Sequence, residues 1–280
     1  MKPIIRSITE RLRQSTLLAL ACSACGCFQA PDVTDAQLDR GCVILLPGIE
    51  GNAWQLEGAY HGLRDAGVEQ AIEIIPWGSP PLSSMANLVG IEKNRKRADA
   101  IARKIEEYRR RRPEAPLTLI GYSGGGGLAI LTLEALSKET QVDRAILIAA
   151  AIDSRYDIDR VLPRCRDELI NIYSRSDAIV GAGTSVFGTI DRVKTISAGH
   201  SGFVDAKGAL LERPRLQQLG WTSDWRRLGH YGGHLGCLAR GWSREILAPL
   251  VATTADHPAE VTLSRSDNAG RTAPPGDVGE

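Results

Sequence analysis

The chain has 280 residues, 43% of them hydrophobic, enough to bury a sizeable core within one domain. Lys plus Arg (34) balances Asp plus Glu (33) to a formal net charge of +1, so no nucleic-acid partner is expected from long-range electrostatics. Basic residues concentrate between Lys93 and Arg112, but Asp99, Glu106 and Glu107 interleave with them, the pattern of a solvated helix face.

Positions 1–29 read as an export signal outside the fold. Lys2, Arg6, Arg11 and Arg13 precede the apolar run from Thr16 to Cys27, which is too short to span a bilayer as an ordinary helix. Cysteines that follow small residues in such a segment resemble a bacterial lipoprotein signal, in which one Cys is lipidated and becomes the new N-terminus. Cys22 and Cys27 are the candidates, and a plainly cleaved signal is the alternative. Either way the protein is expected to be exported, and held at the cell envelope through the lipid or secreted. Cys42, Cys165 and Cys237 remain, an odd number that excludes a fully paired disulfide framework. They read as buried small hydrophobes.

Positions 30–255 read as the folded domain. After a polar lead-in from Ala30 to Arg40, Cys42–Leu46 is a continuous apolar run that suits a strand buried on both faces. Pro47-Gly48-Ile49-Glu50-Gly51-Asn52 is a turn. Ala53–Ala66 has helical spacing at Leu56, Ala59, Tyr60 and Leu63, with Gly58 and Gly62 against it. Ala71–Pro76 is a second strand, followed by a loop whose Gly78–Val89 portion could cover a site. Glu92–Arg111 is a strongly amphipathic helix on Ala98, Ile101, Ala102, Ile105 and Tyr108, stopped by Pro113. Further strands are expected at Leu117–Gly121, Ala145–Ala150, Leu169–Ser174 and Arg192–Ser197. A helix covers Leu128–Leu136, Ser201–Arg227 is a second cover, and a closing helix runs over Ala239–Val251, with Pro249 expected to kink or shorten it. Asp256–Glu280 is rich in Pro, Gly, Ser, Thr and charge and is expected to be a disordered tail.

Strands alternating with helices imply a parallel sheet covered on both faces, with chemistry where loops leave the carboxyl ends of the strands. Gly121-Tyr122-Ser123-Gly124-Gly125 lies at such a place. It is a G-x-S-x-G pattern between an apolar strand and an apolar helix, where a sharp turn pushes a serine hydroxyl clear of the sheet. Ser123 is therefore the candidate nucleophile, and it needs an adjacent imidazole to take its proton.

With that turn, the Pro-Gly turn after the first strand, and the order Ser, acid, His, the stretch from Gly41 to Val251 resembles the α/β-hydrolase family. The resemblance implies an α/β-hydrolase fold with a mostly parallel six-stranded sheet and helices on both faces. No large cap domain fits in the short connection Ala151–Glu168. It further implies an oxyanion hole from the backbone N–H groups of Gly124 and Ile49, and an acid at Asp177 beyond the fifth strand, with Asp153 as rival. The base is expected at His234, ahead of His200 and then His230. His61 and His257 lie outside the expected position. A zinc site on His230, His234 and Cys237 would need a helical face that Gly232-Gly233 argues against, so neither metal nor cofactor is expected. The implied activity is hydrolysis of carboxylic esters, either small molecules or lipids. The alternatives are a serine peptidase or amidase on the same residues, and a non-catalytic envelope protein of this fold. Ester chain length and oligomeric state are left open.

Overall fold

Cys42–Leu46 (β1) forms a strand because all five residues are apolar and every one is buried. Its alternate side chains feed two cores. Cys42, Ile44 and Leu46 join one apolar cluster, and Val43 and Leu45 join the other. The structure, a computed structural model, describes residues 28, 30–78, 90–180, 189–190 and 195–252. The expected signal, apart from Phe28, the tail at 256–280 and the cover loop at 79–89 lie outside the described residues, as does His257.

Before β1, Asp35–Arg40 (α1) is a short helix that the polar lead-in concealed, started by a Thr34–Gln37 capping box. After it come Glu57–Asp65 (α2), Ala71–Ile74 (β2), Ile91–Arg111 (α3), Leu117–Tyr122 (β3), Gly124–Ala135 (α4), Val142–Ile148 (β4) and Cys165–Tyr173 (β5). Leu216–Gly220 (β6) completes a six-stranded sheet, all parallel, in the order β2-β1-β3-β4-β5-β6. On one face α3 and α4 pack through Ala98, Ile101, Ala102, Ile105, Leu128 and Leu131. Ile105 is fully buried there, so its truncation to Ala would cost about 2–5 kcal/mol.

The other face is covered by α2 and a closing helix. Gly58 and Gly62, which weaken α2 as an isolated helix, let it approach that helix. A Cβ at Gly58 would collide with the Leu238 carbonyl, and one at Gly62 would stand 2.5 Å from the Arg240 carbonyl. The closing helix runs from Arg240–Trp242 through a π-helical turn, Ser243–Leu247, into Ala248–Ala252. Pro249 therefore neither ends the helix early nor leaves it regular. It lacks an N–H and crowds the preceding turn, and the wider π turn just before it accommodates both effects.

The sixth strand is the main correction to the expected layout. Of Arg192–Ser197, positions 195–197 are described. They form no strand, and Ser197 makes only an isolated antiparallel bridge to Asp153. The true β6 lies inside Ser201–Arg227, which was expected to be a cover. That segment also carries a 3-10 turn, Ser223–Leu228, with Trp225 buried. Leu-Gln-Gln-Leu-Gly is an edge strand with half-exposed side chains, so it lacks the apolar run that marks the inner strands. The link between β4 and β5 holds only two short 3-10 turns, Ile158–Arg160 and Leu162–Arg164, with no cap domain. Cys42, Cys165 and Cys237 are free and buried. Among the described residues, no helix is long and apolar enough to cross a membrane.

Candidate active site

The serine turn is built at the end of β3. Ser123 adopts φ 54° and ψ −120°, a strained conformation for a side-chain-bearing residue. Main-chain bonds hold it: Ser123 N–H donates to the Ile148 carbonyl at 2.8 Å, and the Ser123 carbonyl accepts from Gly126 at 2.9 Å, Ala151 at 3.0 Å and Gly127 at 3.4 Å. The two glycines of the motif are required by close approach. A Cβ on Gly121 would collide with the Gly125 carbonyl, and one on Gly125 with the carbonyls of Leu46 and Pro47.

The structure brings Ser123, His234 and Asp177 together across 111 and 57 residues of chain. Ser123 Oγ lies 2.9 Å from His234 Nε2, and His234 Nδ1 lies 2.7 Å from Asp177 Oδ2. Asp177 follows β5 and is only 1% exposed. Its second oxygen accepts from the backbone N–H of Ile179 at 3.0 Å and Val180 at 3.3 Å, which satisfies a buried carboxylate. His234 opens a 3-10 turn, His234–Leu238, between β6 and the closing helix. Each of the three side chains thus leaves the sheet at the carboxyl edge.

Gly124 begins α4, so its N–H belongs to the first turn, whose donors have no partner within the helix. Ile49 lies against it. A Cβ on Gly124 would stand 3.1 Å from Ile49 N and would overlap the Ile49 side chain. The turn after β1 and the start of α4 therefore face each other beside Ser123.

A parallel sheet in this strand order, with the Ser123 turn after β3 and Asp177 and His234 on loops past β5 and β6, decides the architecture. The fold is that of the α/β-hydrolases. No protein-family model and no curated protein sequence matches the chain. Among solved structures it is similar to a predicted CIB-like hydrolase from Thermoplasma acidophilum, at 17% identity over 78% of this chain and 88% of that one, TM-score 0.43. It is also similar to an esterase domain from Rhodothermus marinus, at 15% identity over 78% and 89%, TM-score 0.43. A third is the Bacillus licheniformis lipase BlEst2, at 13% identity over 80% and 96%, TM-score 0.45.

The other candidates of this hydrolase fold have different surroundings. His200 is on a short helical turn, Ala198–Ser201, with Nδ1 3.1 Å from the Asp177 carbonyl, so it borders the acid's backbone without meeting Ser123. His230 is buried among Trp221, Trp225 and Trp242, and its Nδ1 accepts from Gly232 N–H at 3.2 Å. Burial pushes its pKa down to about 4, which keeps it neutral. His61 lies on α2 against Phe28 and Tyr60. Asp153 caps its own turn through Arg155 N–H at 3.0 Å. The Cys237 thiol donates to the His234 carbonyl at 3.0 Å, and no group of three or more His, Cys, Asp or Glu is positioned to hold a metal ion among the described residues.

Two further side chains reach the residues around Ser123. Tyr122, the variable residue before Ser123, donates its hydroxyl to the His234 carbonyl at 3.3 Å and lays its ring 5.1 Å from the imidazole. Trp77 donates its indole N–H to the Pro47 carbonyl at 2.7 Å. Neither has a local signal, because each reaches its partner only across the sheet edge. A cavity of about 720 Å³ is lined by residues such as Arg40, Val68, Gln70, Arg244 and Ala252 and by none of these groups.

Proposed function

We propose that the protein is a serine hydrolase that cleaves carboxylic esters by acyl transfer. The single observation that carries this reading is the unbroken relay Ser123 Oγ to His234 Nε2 (2.9 Å), and His234 Nδ1 to Asp177 Oδ2 (2.7 Å). In this mechanism His234 Nε2 accepts the Ser123 proton as Oγ attacks the ester carbonyl carbon. The carbonyl oxygen becomes an anion and is met by the N–H groups of Gly124 and Ile49. Asp177 holds the imidazole with Nδ1 protonated and stabilises the imidazolium. Collapse of the tetrahedral species breaks the carbon–oxygen bond to the alcohol, which leaves with the proton from Nε2. A water then gives its proton to Nε2, attacks the acyl-enzyme, and releases the acid as the proton returns to Ser123 Oγ.

Fluorophosphonate labelling tests the reading. Wild type and His200→Ala should label, while Ser123→Ala and His234→Ala should not. Turnover in the two silent variants should fall by on the order of 10⁴- to 10⁶-fold. A folded wild type that takes no label would end it, and labelling lost in His200→Ala but kept in His234→Ala would move the base. Nitrophenyl esters of graded acyl length, run against aminoacyl anilides, separate ester from amide preference. The chain is further proposed to be exported and anchored through Cys22 or Cys27. The mass of the mature N-terminus decides that point.

A further inference from the structure

Trp77 lies just past β2 and is 5% exposed. Its side chain and its backbone both end on one turn. The indole N–H donates to the Pro47 carbonyl at 2.7 Å, and the Trp77 main-chain N–H donates to the Gly51 carbonyl at 3.2 Å. Gly78 N–H reaches the same Gly51 carbonyl at 3.5 Å. One residue therefore grips both ends of the Pro47–Gly51 turn, whose middle residue is Ile49. The opposite side of that turn is closed by Gly124 and Gly125, which touch Ile49 and the Leu46 and Pro47 carbonyls so closely that neither has room for a Cβ.

Trp77 is itself held. The guanidinium of Arg97, on α3, lies over the indole at 5.4 Å from the ring centroid. Arg97 is in turn fixed by the side-chain oxygen of Asn94, one helical turn earlier, at 3.0 Å. A line of contacts thus runs from α3 through Arg97 and Trp77 into the turn.

An N–H that stabilises a developing oxyanion is effective only when its position is set before the charge appears. The turn is closed across Ile49 and Glu50 by Gly51 N–H to the Gly48 carbonyl at 2.8 Å, but it holds two glycines, with Gly51 at φ +67°, so bonds from outside the turn are needed to hold it as a unit. We propose that Trp77 is a positioning residue for the oxyanion hole: its indole and main-chain N–H groups clamp the Pro47–Gly51 turn so that Ile49 N–H is aimed beside Ser123, and Arg97 keeps the indole in place. The inference rests on the acyl-transfer reading above.

The test compares wild type with Trp77→Phe, Arg97→Ala and Ser123→Ala on a short-chain nitrophenyl ester. It also measures binding of a trifluoromethyl ketone, whose adduct with serine carries an oxyanion, and of the matching methyl ketone. Trp77→Phe should lower kcat by about 10- to 100-fold with KM within about twofold. Affinity for the trifluoromethyl ketone should fall in parallel, while methyl ketone binding stays unchanged. Arg97→Ala should show the same split with a smaller loss. Unchanged kcat in folded Trp77→Phe, or equal weakening of both ketones, would overturn the proposal. If Trp77→Phe does not fold, Arg97→Ala decides alone, and the absence of the split there is fatal. Activity that survives Ser123→Ala would instead remove the acyl-transfer reading itself.

Discussion

Asp177 presents its two carboxylate oxygens to different kinds of partner. Oδ2 meets His234 Nδ1 at 2.7 Å, and Oδ1 accepts the backbone N–H groups of Ile179 and Val180. The carboxylate cannot turn away from the imidazole without breaking two main-chain bonds in a buried setting. Asp177→Asn should therefore keep the fold while presenting His234 with the wrong donor pattern. Its kcat should drop by on the order of 10⁴-fold. Asp153→Asn, which alters only a turn cap, should leave kcat within about twofold in the same ester assay.

The His234 carbonyl accepts from two donors, Tyr122 Oη–H at 3.3 Å and Cys237 Sγ–H at 3.0 Å, which together fix the loop that carries the imidazole. Tyr122→Phe and Cys237→Ala should each cost about 1 kcal/mol in transition-state stabilisation, roughly fivefold in kcat/KM. Because they share one acceptor, the double variant should depart from additivity. A double-mutant cycle on kcat/KM reads this directly.

Strain at the serine turn predicts a trade between stability and activity. Ser123 holds φ 54° against the preference of a side-chain-bearing residue. Ser123→Gly should abolish turnover and stabilise the fold by about 1 kcal/mol, seen as a higher urea midpoint with an unchanged slope. A lower midpoint would mean that the Oγ to His234 contact outweighs the strain.

His230 should make the protein acid-sensitive. Its folded pKa is held near 4 by burial, below the ordinary histidine value of 6.5. Unfolding therefore takes up a proton, so the stabilisation is fully present above about pH 6.5 and is lost as pH falls toward 4, by roughly 3 kcal/mol in all. Urea unfolding of wild type and His230→Phe at pH 7, 5.5 and 4 should show a clearly shallower decline in the variant.

Burial pushes the Cys42 and Cys165 thiols up to about 12 and raises the Cys237 thiol as well. Thiolate is the reactive form, so none of the three should react with an aromatic disulfide reagent at pH 8 in the native protein. All three should react on unfolding, as read by peptide mass mapping.

The inner architecture was legible because it is written locally. β1 is a five-residue apolar run, α3 has a clean apolar stripe on Ala98, Ile101, Ala102 and Ile105, and the serine elbow is a contiguous motif. β6 was not legible, since an edge strand with half-exposed glutamines carries no buried-strand signal. Gly58 and Gly62 were misleading in isolation, because their value lies in the approach of α2 to the closing helix.

The chain by itself determined the parallel layering, the sharp turn at Ser123 and the short list of acids and histidines that could serve it, since each of these depends on neighbours a few residues apart. Only the tertiary structure puts His234, rather than His200 or His230, at hydrogen-bond distance from Ser123, and only it brings Tyr122 to the His234 carbonyl and Trp77 to the Pro47 carbonyl. Hydrogen-bond geometry over a few ångströms depends on how loops 57 to 111 residues apart return to one sheet edge. That return is set by packing of the whole core, and no local pattern in the sequence encodes it.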